Sequence, residues 1–549
     1  MTRGLTTPEQ IAHYLHPKLD LITDPFKLLG VPLAIDAVLK ALTENPTAPI
    51  VIFADYDVDG TCSAALLSLF FEALKIPHLC VQPDRFKHGY GLKPFATEIC
   101  LANQSKLLIS ADCGTTSTEV SNLCAHMGIQ LIVLDHHQPQ QESPLHPATI
   151  LINPHQPGCP SQLFELCACG VVFYFLRALR SHLNQIGSCR INLKQHLDLV
   201  TLATACDMVP LIKDNHILVR FGLEVLKNTQ KPGLQALLKI FDLTSRRFSP
   251  SSLGFQLGPV INAAGRMENA NLALTLLTTP LASTAQLLAN QLFQINQQRT
   301  LVQNAVWDEA KGQAINGLAV GKFAHSVCVG SPLWHEGVIG IVASRVAEHF
   351  KKPSCVASFK EGIVRASFRS AHQKNILQAL QLTAPLLISF GGHHHAAGCS
   401  MLESNWEAFS EGFDQALSLQ TTAALPKLWE KAVATSISEI SFQALLEIEA
   451  MGPFGIGNPD PLLSIRAIIQ KPRILKDRHL KFELSELSNE GTQKTDYRMQ
   501  GIWFNGYESH PEIASQEMRP PQRLLVVPEL NRFSGQTIPT LRVKEMLIS

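Results

Sequence analysis

Apolar positions along this chain follow three successive rhythms. From residue 50, short unbroken apolar runs alternate with longer amphipathic stretches, the runs being Ile50–Phe53, His78–Gln82, Lys106–Ser110, Gln130–Leu134 and Thr149–Ile152. Runs of this length without polar alternation suit strands covered on both faces. Strand–helix alternation predicts a parallel, doubly wound sheet. Ahead of it, residues 1–45 are punctuated by Pro8, Pro17, Pro25 and Pro32 and predict small helices.

The second rhythm is helical. Residues 196–240 and 270–317 carry apolar positions three and four apart, such as Leu288, Leu292 and Ile295, and a connecting helix is expected over 286–318. Strand patterns return at Ser326–Val329, Ser354–Ser358 and Ile363–Ser367, with a helix over Val338–Phe350, and predict a smaller α/β domain over 319–418. The third rhythm is of short strands separated by turns: Leu462–Ile469, Leu480–Leu487, Arg498–Trp503, Arg523–Val527 and Thr537–Val543. Five such strands predict a small β-barrel over 425–549, the oligonucleotide-binding (OB) fold being one such architecture. The first α/β domain is placed at 46–285.

Composition narrows the class. A chain of 549 residues, 46% hydrophobic, can bury several cores. No apolar run reaches membrane-span length, and the first residues carry charges and prolines instead of a signal-peptide pattern. The 13 cysteines are scattered without CxxC pairs and read as reduced thiols, which makes the cytoplasm the expected location. With 46 basic and 46 acidic residues the net charge is zero, compatible with a basic groove beside an acidic centre.

The chemistry sits at the strand ends. The run from Ile50 breaks into Asp55, Asp57 and Asp59, followed by Gly60. Three close carboxylates repel one another unless a cation sits among them. From that loop alone a metal site and a solvated acidic turn are equally open. The design recurs, however. Asp112 ends the run from Lys106, Asp135, His136 and His137 end the run from Leu131, and Asp207 precedes Pro210 at a helix-to-loop transition. A single strand-end Asp is commonly a helix cap, but strands of a parallel sheet share one carboxyl edge, where such side chains converge. Asp and His without Cys suit Mn²⁺ or Mg²⁺. Several carboxylates can bridge two such ions, an arrangement suited to phosphoester hydrolysis.

Asp55-Tyr-Asp-Val-Asp-Gly60, Ala111-Asp-Cys-Gly114 and Asp135-His-His137 together resemble the DHH phosphoesterase superfamily. Within it, the full set is similar to the RecJ exonuclease family. The further matches are Ala205-Cys-Asp-Met-Val-Pro-Leu211, Gly258-Pro-Val-Ile-Asn-Ala-Ala-Gly-Arg-Met267, His335–Arg345, Gly391-Gly-His-His-His-Ala-Ala-Gly398 and Met451–Pro461. The resemblance implies a DHH domain, a DHHA1-type domain and an OB-like domain. It further implies 5′→3′ hydrolysis of single-stranded DNA by a two-metal mechanism in recombination and repair. Asp57, Asp59, Asp112, His136 and Asp207 would ligate two Mn²⁺ or Mg²⁺ ions, and Asp55 and His137 would ligate or support them. Arg266, Ser367, Arg369 and His393 would hold DNA phosphates, the 5′-terminal one falling to Ser367 and Arg369 in a turn. Phe454, Trp503, Phe504 and Tyr507 are candidate stacking residues, each also readable as core.

The chain departs from the family pattern at Val260, where the family carries Arg, and at Ala366 and Phe368, where glycines flank the phosphate-binding serine. A helicase and a single-strand-binding protein are the expected partners, with no membrane and a monomeric state. Two other readings stand beside this one. The first is a DHH phosphoesterase on short oligonucleotides or cyclic dinucleotides, for which a C-terminal barrel has no use. The second is an inactive DNA-binding scaffold, which need not keep its ligands. A dinucleotide-binding domain is disfavoured because no G-x-G-x-x-G follows the first strand.

Overall fold

Five parallel strands form the first sheet: β1 (Ile50–Ala54), β2 (His78–Val81), β3 (Leu107–Ala111), β4 (Gln130–Leu134) and β5 (Ile150–Ile152), in the order β2-β1-β3-β4-β5. The computed structural model describes residue 3 and residues 5–140, 144–185, 191–243, 249–267, 270–421, 428–487, 494–514, 518–533 and 536–547. All residues of β1 and β3 are buried, as unbroken apolar runs require. One core cluster packs Val51, Phe53, Leu108, Leu131 and Val133 with Ala96, Cys100, Val120 and Cys124 of the helices Phe95–Ala102 and Thr118–His126. The helix Val58–Ala73 is buried along most of its length and contacts the helices Ala168–Gln185 and Leu197–Cys206.

Register sets up the chemistry. Ala54 pairs with Ala111, Ala111 with Leu134, and Leu134 with Ile152. The next residue of each strand is therefore Asp55, Asp112, Asp135 and Asn153, side by side along one edge. Backbone bonds continue the ladder one step further, Asp55 N to Ala111 O, Asp112 N to Leu134 O and Asp135 N to Ile152 O.

The chain divides into two compact units, one of Met1–Asn262, Ala270–Asn290 and Lys427–Ser549, the other of Ala263–Asn269 and Gln291–Pro426. The helix Ala282–Ala319 joins them. Where the sequence predicts one helical stretch over 270–317, the structure has Asn271–Thr278 and then Ala282–Ala319. Pro280 lies in the gap, where its missing N–H and ring oppose a continuous helix.

The second unit holds a mixed sheet of β6 (Val327–Ser331), β7 (Ser354–Lys360), β8 (Ile363–Arg369), β9 (Ser389–Gly392) and β10 (Ala396–Leu402), in the order β6-β7-β8-β10-β9. Only the β6–β7 pair is parallel. The sequence reading missed β9 and β10, because Ser389-Phe-Gly-Gly392 has no apolar alternation and every residue of β9 is exposed. Phe368, Phe409 and Phe413 lie at the heart of this unit's core.

The C-terminal strands are the short β11 (Val433–Ala434), β12 (Leu463–Leu475), β13 (His479–Leu487), β14 (Lys494–Trp503), β15 (Met518–Phe533) and β16 (Gln536–Leu547). β12 pairs with both β13 and β15, so the five long strands close on themselves as an OB-like barrel. Ile465, Leu480, Phe482, Trp503, Leu524 and Val543 are among its core residues. Among the described residues, no helix is long and apolar enough to cross a membrane.

Candidate metal centre

The acidic loop after β1 is built by a helix start. Asp57 caps the helix Val58–Ala73, its Oδ1 accepting from Gly60 N at 3.0 Å. Gly60 is obligatory there, since a Cβ would stand 2.3 Å from the carbonyl oxygen of Asp55. Asp59 turns the other way, into the protein. Its two oxygens accept from Ala168 N at 2.6 Å and Cys169 N at 2.8 Å, at the start of the helix Ala168–Gln185. Each oxygen keeps a further lone pair. Asp112 holds a left-handed backbone, φ +61°, a conformation Asp tolerates better than most residues. Asp207 is the C-cap of the helix Leu197–Cys206.

These elements bring three sets of ligand atoms within reach of single ions: Asp55, Asp57 and Asp112; Asp59, His136 and Asp207; and Asp112, His136 and His137. His136 Nε2 lies 3.5 Å from Asp112 Oδ1, 3.7 Å from Asp207 Oδ2 and 3.8 Å from Asp59 Oδ2. Neighbouring ligands on an octahedral Mg²⁺ at ~2.1 Å stand about 3 Å apart, so a small contraction closes this group on an ion. Asp55 Oδ1 and Asp207 Oδ2 are buried with no hydrogen-bond partner among the described residues, acceptors awaiting a cation. The donor set is all carboxylate and imidazole, which matches Mn²⁺ or Mg²⁺.

Electrostatics agrees. Burial and then the Asp57 charge push the carboxyl of Asp59 up to about 7, and burial with Asp59 and Asp57 pushes Asp207 up to about 9. Asp55 and Asp112 are raised well above the carboxylate range for the same reasons. Without a cation the protonated forms of these groups are favoured. His136, lowered to about 4 by burial and by its neighbour His137, stays neutral and free to ligate.

Asp135 plays a different part from the other strand-end carboxylates. Thr115 N, His136 N and His137 N all donate to it, as does His137 Nδ1 at 2.7 Å. Burial opposes the charge on His137, but this bond and the Asp135 charge outweigh it and lift the imidazole to about 9. Asn153 completes the edge, donating to the carbonyl of His137 at 2.8 Å. The sequence reading placed Asp135 at a strand end without a role and missed Tyr90. The Tyr90 hydroxyl lies 3.1 Å from His137 Nε2 and 3.4 Å from the Asp112 carbonyl. The signal for it was the loop Pro83–Lys93, in which Arg85, Lys87, His88 and two glycines surround that tyrosine.

In the second unit Ser367 and Arg369 belong to strand β8, which carries the predicted strand Ile363–Ser367 on to Arg369 through the stretch where the resemblance implied a turn. They share one face, with Arg369 Nη1 donating to Ser367 Oγ at 3.3 Å. Ala366 and Phe368 alternate onto the other face and are buried, so these departures from the family pattern belong to the core. β10 pairs alongside, and the exposed His393 stands in its hairpin with β9, where His393 N donates to Ala396 O at 2.8 Å. Arg266 is half-buried and donates to Gly337 O at 3.3 Å, at the start of the helix Glu336–Phe350. Val260, in the helix Gly258–Met267, is fully buried. Of the stacking candidates, Phe504 is exposed, Trp503 is in the barrel core at 6% exposure, and Tyr507 packs against that core. Phe454 lies beneath the Arg3 guanidinium, 5.6 Å from its ring centre.

Known proteins share this architecture. The DHH family N-terminal domain matches residues 49–204, the DHHA1 domain 321–419 and the RecJ OB domain 433–545. The single-stranded-DNA-specific exonuclease RecJ of Salmonella typhimurium is 33% identical over 83% of this chain and 81% of its own. That of Dickeya dadantii is 31% identical over 88% and 85%. A crystal structure of RecJ with Mn²⁺ from Thermus thermophilus superposes with a TM-score of 0.77 at 24% identity, covering 98% of this chain and 74% of that one. A structure of exonuclease RecJ bound to manganese gives 0.61 at 28% identity, covering 72% and 96%. With three domains matched in order and relatives similar over most of both lengths, this chain belongs to the RecJ exonuclease family.

Proposed function

We propose that this protein is a metal-dependent exonuclease that hydrolyses single-stranded DNA from its 5′ end, in DNA recombination and repair. The observation that carries the reading is the convergence of Asp59, Asp112 and Asp207 on His136 Nε2 within 3.8 Å. Asp57, Asp59, Asp112, His136 and Asp207 would hold two Mn²⁺ or Mg²⁺ ions, with Asp55 supporting them. Bound there, the ions supply a hydroxide at neutral pH and neutralise charge on the phosphate.

The protein's own groups do the rest. Asp135 fixes His137 and favours its charged form, whose Nε2–H, turned to Tyr90, would donate to a phosphate oxygen. Ser367 and Arg369 offer a hydroxyl and a guanidinium to the 5′-terminal phosphate, with Arg266 and His393 as further phosphate contacts. Phe504 offers a stacking face to the trailing strand. A helicase and a single-strand-binding protein are the partners such an enzyme needs, and the cytoplasm is its place of work.

The test is degradation of single-stranded DNA labelled at either end, with Mn²⁺ or Mg²⁺, beside a blunt duplex and an Asp112→Ala variant. Metal-dependent release of the 5′ label from single strands, lost in the variant, is the expected result. Binding without cleavage under either metal would instead indicate a scaffold, and cleavage confined to very short oligonucleotides a small-substrate phosphoesterase.

A further inference from the structure

The glycine-rich segment Met451–Asp460 precedes β12, and its contacts run towards the metal centre. Leu211 N donates to Ile456 O at 2.7 Å. Gly455 and Gly457 lie so close to Leu211, Pro210 and Ile212 that a Cβ at either would stand 2.7 Å or 3.0 Å from them. Pro210 and Leu211 follow Asp207 by three and four positions. The intervening chain leaves its helix through Met208, at φ +59°, a left-handed residue that does not fix direction by helix continuation. Where the loop goes next is therefore decided by what it packs on.

The segment is itself held firmly. Asn458, 2% exposed, is its hub: Gly455 and Asn458 exchange backbone bonds at 2.9 and 3.2 Å, and Asn458 Nδ2 donates to Pro453 O at 2.8 Å. The Tyr14 hydroxyl meets Asn458 Oδ1 at 2.9 Å and Met451 O at 2.7 Å, while its ring stacks on His216 at 4.7 Å. Arg3 donates to Asn458 Oδ1 and, at 2.7 Å, to Pro459 O. Arg220 donates to the carbonyls of Ala450 and Gly452 at 2.6 and 2.9 Å.

We propose that this segment is a positioning element of the metal centre. Ile456 and Asn458 fix the course of Pro210–Ile212 and so hold Asp207 on its ion, which couples the seating of the barrel, and of Arg3 and Tyr14, to metal affinity. The proposal rests on the reading of Asp207 as a ligand. Phe454, with one face under Arg3, then serves this clamp instead of DNA.

Mn²⁺ binding to the full-length protein, read by electron paramagnetic resonance, tests it on Asn458→Ala, Tyr14→Phe and Asp207→Ala. Loss of one Mn²⁺ in Asp207→Ala upholds the ligand reading by itself. Given that, Asn458→Ala is expected to weaken one Mn²⁺ about tenfold, the lower end for groups that orient a ligand. Nuclease activity should return at saturating Mn²⁺, and metal-free binding of single-stranded DNA should be unchanged. Tyr14→Phe, which removes a single hydroxyl, should shift the same site a few-fold in the same direction and carries the test if Asn458→Ala does not fold. A lower melting temperature with unchanged Mn²⁺ affinity in both variants overturns the proposal, because a merely structural clamp would give that result.

Discussion

His137 Nδ1 lies 2.7 Å from Asp135 Oδ1, and the same carboxylate oxygen accepts from the backbone N–H groups of His136 and His137. One buried side chain thus orients the imidazole beside the proposed metal ligands and favours its charged form. Asp135→Asn keeps the shape but can no longer stabilise an imidazolium. Its exonuclease turnover is expected to fall by about 10- to 100-fold, with DNA affinity little changed, measured by single-turnover cleavage beside strand binding.

The metal centre predicts a pH dependence with a definite sign. Asp59 and Asp207, raised to about 7 and about 9, bind more protons in the folded than in the unfolded chain. Between the ordinary carboxylate range and about 9, rising pH therefore removes stability from the metal-free protein. Bound Mn²⁺ replaces those protons. Calorimetry in buffers of different ionisation heat should show protons released on Mn²⁺ binding, and affinity that rises from pH 6 to 9. The melting temperature of the metal-free protein should decline over the same range, and less steeply for Asp207→Asn. A flat profile in the wild type would contradict the buried-carboxylate account.

Gly340 tests the phosphate pair. It lies against β8, where an added Cβ would stand 3.1 Å from Ser367 Oγ and 3.5 Å from Arg369 Nη2. Gly340→Ala thus crowds the proposed 5′-phosphate contacts without touching the carboxylates. KM for 5′-phosphorylated strands should rise about fivefold, roughly 1 kcal/mol of a charge-assisted bond, with Mn²⁺ affinity unchanged. Equal KM for phosphorylated and unphosphorylated strands in both proteins would remove the end-recognition role.

The carboxyl-edge row was legible because a mainly apolar run announces a buried parallel strand, and its first carboxylate marks the edge. Asp55, Asp112 and Asp135 fall out of that rule directly. What separates Asp135 from the others was not legible, because it depends on three N–H donors that only the folded turns bring round it. Ala366 and Phe368 looked like neighbours of a phosphate, yet strand alternation sends Phe368 into the rings of Phe409 and Phe413, 5.9 and 5.1 Å away. The strand predicted over Ile363–Ser367 already implied that alternation, and the turn implied by the resemblance obscured it: adjacent residues of a turn share surroundings, those of a strand do not. Tyr90 escaped because a loop tyrosine carries no periodicity.

Trp503 and Phe504 are adjacent aromatics with opposite fates, and that contrast separates fold from function in the barrel. Trp503 is 6% exposed within the core, its ring tilted against His510 at 4.8 Å. Phe504 is 51% exposed, its ring edge-on to His479 at 5.3 Å. Trp503→Ala should cost the barrel about 3–5 kcal/mol, seen as a lower unfolding midpoint. Phe504→Ala should leave that midpoint in place. It should instead weaken binding of long single strands by about 1–3 kcal/mol if one base stacks there. Because the metal centre is untouched, cleavage of short oligonucleotides should persist in Phe504→Ala while degradation of long strands slows. Fluorescence anisotropy on strands of increasing length reads the difference. A length-independent loss would mean that Phe504 supports the barrel and does not carry the strand.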